Sequence, residues 1–173
     1  WTQFSALSAA LRVHSTKDAS LDRRPWTGGE LYTRANRSMY RLRSKLMPYV
    51  YSSVWQTHKT MVPLNRAMYI DYENQPESYE NEQEFTFGDI IMAAPVTSPG
   101  KGDSLTASQK VWFPRGDLWF DFFTHQRYEG GQTRNIAKSI MEFPMYVKGG
   151  WVLPMQPYTP RPATSPLDTL VMR

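Results

Sequence analysis

Two side chains near the start of the chain, Arg12 and His14, have the types and the spacing to act together. They stand two residues apart, so on an extended strand they project from the same side. An imidazole at a strand end exchanges hydrogen bonds with a hydroxyl, while a guanidinium beside it anchors a carboxylate. A buried strand that delivers polar side chains to its carboxyl end is how α/β barrels build their sites. The acids Asp71 and Glu73, Glu80 to Glu84, and Asp117 with Asp121 fall in loops and turns without a site motif around them, and they read as solvated surface. His14, His58 and His125 lie too far apart for a local ligand motif, and there is no cysteine, so no metal or cofactor is expected.

The elements that must position this pair are legible in part. Trp1 to Leu11 is mostly apolar and reads as a buried helix turning into a strand, with periodicity unable to separate the two. Ser15 to Arg24 is a polar loop that closes on Arg24-Pro25-Trp26. Thr27-Gly28-Gly29-Glu30 fits a capping box, in which the Thr hydroxyl and the Glu carboxylate satisfy free amides at a helix start. Beyond it Leu31, Ala35, Met39, Leu42, Leu46, Val50 and Val54 recur at three and four residues, which gives one apolar stripe of a helix. Arg34, Arg37, Arg41 and Lys45 form a second stripe, read as a solvated face rather than a nucleic-acid surface. Pro48 should kink or stop the helix, which then resumes from Tyr49 to Thr57. From Val62 onward short apolar runs at 63–70, 85–87, 90–96, 110–114, 118–123 and 143–154 alternate with Gly, Pro and polar turns, the pattern of an antiparallel sandwich. Prolines between Pro154 and Pro166 predict an extended connector toward another domain.

The 173 residues are 40% hydrophobic and 21% charged, which suits one ordinary domain or two small ones. A net charge of +4 is a mild excess that bears on solubility more than on a partner, so no nucleic acid is expected. No apolar run is long enough for a membrane helix. Cysteine usage leaves the compartment open, and nothing sets an oligomeric state. Trp1 lies inside structured sequence and the last residues read as an unfinished strand, so a piece of a longer protein is expected. Such a piece would leave Phe4, Leu7, Leu11 and the helix stripe uncovered, with residues up to about 60 ordered only against neighbouring elements.

Several blocks carry a resemblance. Tyr40-Arg41-Leu42-Arg43 followed by Leu46-Met47-Pro48-Tyr49-Val50-Tyr51 is similar to the final barrel helix of glycoside hydrolase family 31, the α-glucosidases and α-xylosidases. Pro63-Leu64-Asn65-Arg66, Phe87-Gly88-Asp89 with Ala94-Pro95-Val96, Trp112 to Gly116, Trp119-Phe120-Asp121, Tyr128 to Gly131 and Pro144 to Pro154 follow in that family's order. Ser5, Ala9, Glu82-Gln83-Glu84 and Thr124-His125 depart from its usual residues. The resemblance implies the last strand and helix of a (β/α)8 TIM barrel over residues 1–60, then an antiparallel β-sandwich over 61–173. It implies a retaining α-glycosidase acting on an oligosaccharide or glycoside. Such an enzyme works through a nucleophile and an acid/base carboxyl group about 5 Å apart. In the family both are aspartates on strands before Trp1, so no catalytic residue is expected here and the chain alone should be inactive. His14 matches the histidine that contacts sugar hydroxyls in the cleavage subsite, and Arg12 its neighbour, which also suits pairing with a barrel carboxylate. The remainder of the barrel is thereby an expected partner. The other reading is a carbohydrate-binding or structural β-sandwich module, whose aromatic sheet would stack on sugar rings.

Overall fold

The computed structural model describes residues 1–162 and 166–173. A short helix, α1 (Thr2–Ala6), leads into a long segment whose one regular feature is a 3-10 turn at Ala19–Leu21. The strand expected to carry Arg12 and His14 does not form. A barrel strand takes its hydrogen bonds from flanking strands, and no described strand pairs with this segment.

Two longer helices follow, α2 (Glu30–Lys45) and α3 (Met47–Thr60). The expected capping box is not made. Helix α2 begins only at Glu30, with Gly29 as its N-cap at φ 95°, so Thr27 lies outside the first turn and its hydroxyl donates to the Arg24 carbonyl at 2.9 Å. Pro48 does interrupt the helix, but the break comes earlier, at Leu46. Pro48 sits in the first turn of α3, where its ring is tolerated, and what it removes is the amide that would have bonded to the Ser44 carbonyl. Gln156 supplies the replacement. Its side-chain amide donates to the Ser44 carbonyl at 3.1 Å and its backbone amide to the Lys45 carbonyl at 2.9 Å. The break rotates the apolar stripe: Ala35, Met39, Leu42, Leu46 and Val50 are buried, Val54 is exposed, and Ser53 turns inward. The basic stripe is exposed along its length.

The rest is antiparallel. A six-stranded sheet runs β1 (Asn65–Ala67), β2 (Phe85–Phe87), β3 (Ile91–Ala93), β8 (Met145–Lys148), β5 (Leu118–Asp121), β6 (Arg127–Glu129). A separate ribbon pairs β4 (Ala107–Phe113) with β7 (Gln132–Lys138), from Ala107 opposite Lys138 to Phe113 opposite Gln132. The turn at Arg115-Gly116-Asp117 therefore joins strands of two different sheets. Two short helices, α4 (Met68–Asp71) and α5 (Glu77–Glu80), occupy what the sequence presents as strand end and loop. The proline-rich stretch does not simply lead away: β9 (Pro154–Met155) pairs with β10 (Val171–Met172), so the chain returns on itself. The part of that stretch at 163–165 lies outside the described residues.

The strand period of two divides the sheet between two cores. Phe85, Phe87, Ile91, Ala93 and Met145 face α2 and α3, packed with Met39, Leu42, Leu46, Tyr49 and Val50. Met92, Tyr146, Trp119 and Tyr128 face the ribbon, packed with Val111, Trp112 and Phe113. Each Val, Leu, Ile, Phe or Met side chain among them taken fully from water contributes about 1.5–3 kcal/mol. The sheet thus covers the helix stripe that the sequence suggests is bare, and Ala6 and Leu7 are buried in the same core, leaving Phe4 half-exposed.

Candidate functional site

Arg12 and His14 line one open cleft of about 780 Å³ together with Trp1, Asp22, Tyr32 and Tyr40. Helix α2 gives one wall: Tyr32, Asn36 and Tyr40 recur every four residues and so share a face. The loop opposite is held by short-range polar contacts. Asp18 accepts the Ser20 amide at 2.9 Å, Ser15 accepts the Arg23 amide at 3.1 Å, and Asn36 donates to the Pro25 carbonyl at 2.9 Å. Asp22 accepts two bonds from Arg24 Nε, each 2.9 Å, and this pairing holds the exposed Asp22 carboxyl below the usual carboxylate range. Arg12 and His14 are both exposed, and among the described residues neither has a hydrogen bond or ion pair. They are brought together on one wall without the strand the sequence led one to expect.

The backbone just before them is fixed at three points. Gln3 donates to the carbonyls of Ile140 and Glu142, both at 2.9 Å. Arg43, part-buried on α2, donates to the carbonyls of Ala6 at 3.2 Å, Ser8, and Ala9 at 2.8 Å. Asn65 on β1 donates to the Leu7 carbonyl at 2.7 Å and accepts the Ala9 amide at 3.2 Å. Sequence reasoning passes over all three. The one available signal is that Arg43 falls off the solvated basic stripe, and Asn65 gives none beyond its place in the Pro-Leu-Asn-Arg block.

The acids are more varied than a solvated surface. Glu73, Glu80 and Glu82 are exposed as expected. Asp71 and Asp89 instead bind the guanidinium of Arg66, itself 6% exposed, at 2.9 Å. Asp117 pairs with Lys148 at 3.1 Å. Asp121 is 1% exposed and pairs with the buried Lys138 at 2.7 Å, while its other oxygen accepts the amides of Phe123 and Thr124 at 2.9 Å. Glu84 is 3% exposed, with one oxygen on the Trp112 amide at 2.7 Å and the other unpartnered; burial pushes its carboxyl up to about 8, against the pull of that amide and of Lys110. Glu84 and Asp121 are the acids wrongly read as solvated surface, because a strand's alternation says which positions face inward only once its register is known. None of them lines the cleft, and among the described residues no three acids or histidines converge as metal ligands. What the cleft presents is a set of free donors and aromatic faces, suited to binding a polyhydroxyl ligand rather than to breaking a bond by itself.

Residues 1–53 match the Glycosyl hydrolases family 31 TIM-barrel domain, and residues 61–153 match the Glycosyl hydrolase family 31 C-terminal domain. The chain belongs to glycosyl hydrolase family 31. Among its family 31 relatives, an alpha-xylosidase of Saccharolobus solfataricus is 30% identical over 155 residues, covering 90% of this chain and 20% of that protein. The neutral alpha-glucosidase C of Mus musculus is 32% identical over 157 residues, covering 90% of this chain and 17% of that protein. The crystal structure of a GH31 alpha-xylosidase from Xanthomonas citri superposes with a TM-score of 0.80 at 31% identity, over 92% of this chain and 17% of that one. The chain therefore spans about a fifth of the length of the curated relatives it matches.

Proposed function

We propose that this chain is a fragment of a retaining α-glycosidase, acting on α-linked glucosides or xylosides, and that Arg12 and His14 bind the substrate. In this reading residues 1–60 are the end of the catalytic barrel and residues 61–173 its adjoining β-sandwich. The two matched regions, which divide between residues 53 and 61, support that boundary. The observation that carries the proposal is the exposed, unpartnered Arg12–His14 pair on the wall of a cleft, in a chain of this family. His14 hydrogen-bonds a sugar hydroxyl, and the bond tightens as the ring flattens toward an oxocarbenium-like transition state. Arg12 orients a carboxylate of the remaining barrel. The nucleophile and the acid/base belong to the part of the enzyme that precedes Trp1, so the 173 residues alone hydrolyse no α-glycoside.

In the full-length parent, His14→Ala should cost about 2–4 kcal/mol of transition-state stabilisation, the range for a buried catalytic hydrogen bond, with thermal unfolding almost unchanged. Unchanged kcat/KM with a lowered Tm would remove His14 from the site. Hydrolysis of an aryl α-glucoside by the purified chain, lost on mutating an acid within it, would refute the placement of the catalytic pair.

A further inference from the structure

We propose that Asn65 is a positioning residue for the Arg12–His14 segment, so that the β-rich part of the chain, and not only the barrel, sets the geometry of the sugar site. This rests on the reading of His14 given above. Three observations lead to it. Asn65 belongs to β1, in the central sheet, yet both ends of its side-chain amide are used by residues 7 and 9 across the interface. The donor end meets the Leu7 carbonyl and the acceptor end the Ala9 amide, so one planar group fixes the chain direction on both sides of Ser8. The carbonyls of Ser8 and Ala9 are taken from the other side by Arg43.

Those contacts stop at Ala9, and Arg12 follows three residues later. From there to the 3-10 turn at Ala19 no strand or helix holds the backbone, so where His14 stands in the cleft is set by the direction in which the segment leaves Ala9 on one side and by the Ser15–Arg23 bond on the other. The core offers little help, because Ala6 and Leu7 are buried but residues 9 to 14 are exposed or nearly so. Asn65 thus has a stabilising role that any polar bridge would have, and a directional one that only an amide of this length and orientation has. A transition-state hydrogen bond is sensitive to placement, and an error of about 1 Å costs on the order of a hundredfold in rate.

The test is a double-mutant cycle in the full-length parent enzyme, with kcat/KM on an aryl α-glycoside and thermal unfolding measured for each variant. Asn65→Ala should lower kcat/KM roughly 10- to 100-fold. In an Arg12→Ala, His14→Ala background the same substitution should change kcat/KM by less than about twofold, because both groups it positions are already gone. Asn65→Asp keeps the acceptor for the Ala9 amide but sets a carboxylate oxygen against the Leu7 carbonyl, so it should recover no activity over Asn65→Ala, whereas Asn65→Ser, with a hydroxyl that both donates and accepts, should be impaired less; Asn65→Ser also carries the cycle if Asn65→Ala does not fold. Val111→Ala, in the core on the ribbon side of the sheet away from α2, serves as the control for destabilisation and should leave kcat/KM within about twofold at a comparable loss of Tm. Equal losses from Asn65→Ala in both backgrounds, or an unchanged kcat/KM where His14→Ala is impaired, overturns the positioning role alone. A neutral His14→Ala overturns the reading of His14 and takes this inference with it.

Discussion

Glu84 is a carboxyl group placed where water cannot reach it, with one oxygen bonded and the other idle. Its folded-state value of about 8 lies above the ordinary glutamate value of 4.5. Below the lower value both folded and unfolded chains carry the proton. Between the two the unfolded chain loses it first, so stability falls as the pH rises, by roughly 1 kcal/mol per pH unit. Urea unfolding between pH 5 and 8 should show this decline, and Glu84→Gln should flatten it; a decline that persists in the variant would assign it elsewhere. The Lys138–Asp121 pair offers a second case. Lys138→Met strands the Asp121 carboxylate in the core and should cost about 3–5 kcal/mol, readable as a shift in the urea midpoint. Neither site was legible in the sequence: Glu84 looks like the last acid of a polar loop, and nothing in the sequence marks Lys138. Burial of a charge is a tertiary fact, decided by which sheet lies above it. Arg12 and His14 could be singled out in the sequence by their spacing together with the family resemblance, and the structure adds that both line one cleft.

At the scale of elements, the helix stripe and the interruption at Pro48 could be read from periodicity and from a missing amide. The site of the break could not, because it depends on Gln156, more than a hundred residues away, which satisfies the carbonyls of Ser44 and Lys45. Gln156→Ala should therefore destabilise the fold by about 1–2 kcal/mol. Pro48→Ala returns an amide that competes for the Ser44 carbonyl, so the cost of Gln156→Ala should shrink in that background. Thermal unfolding of the four members of this cycle measures the coupling, and strict additivity would show that Gln156 does not serve the break. Most strands were visible as short apolar runs. Their partners were not, because hairpin logic pairs neighbours and here β4 skips to β7 while β8 inserts between β3 and β5. The strand assigned to Arg12 and His14 was misread for a related reason: extended residues become a strand only when another strand lies beside them.

For the whole molecule, helices and sheet share one core, in which Leu46 and Val50 lie with Phe87 and Ile91. Hydrogen exchange on the isolated chain should then protect α2 as strongly as β3, whereas independent fraying of α2 would show that the shared core is not cooperative. A different consequence follows from Gln3. Its side chain is bound by the carbonyls of Ile140 and Glu142, at sequence separations of 137 and 139 residues. A chain emerging from the ribosome delivers its amino-terminal end first, so α1 must wait through the synthesis of nearly the whole sheet before that anchor exists. Local helix forms early and distant pairings late, which makes the Gln3 anchor of α1 a late event in folding, after its contacts with α2. Within this stretch the order of synthesis and the order of completion are thus reversed for one contact: Gln3 is made before the sheet and fastened after it.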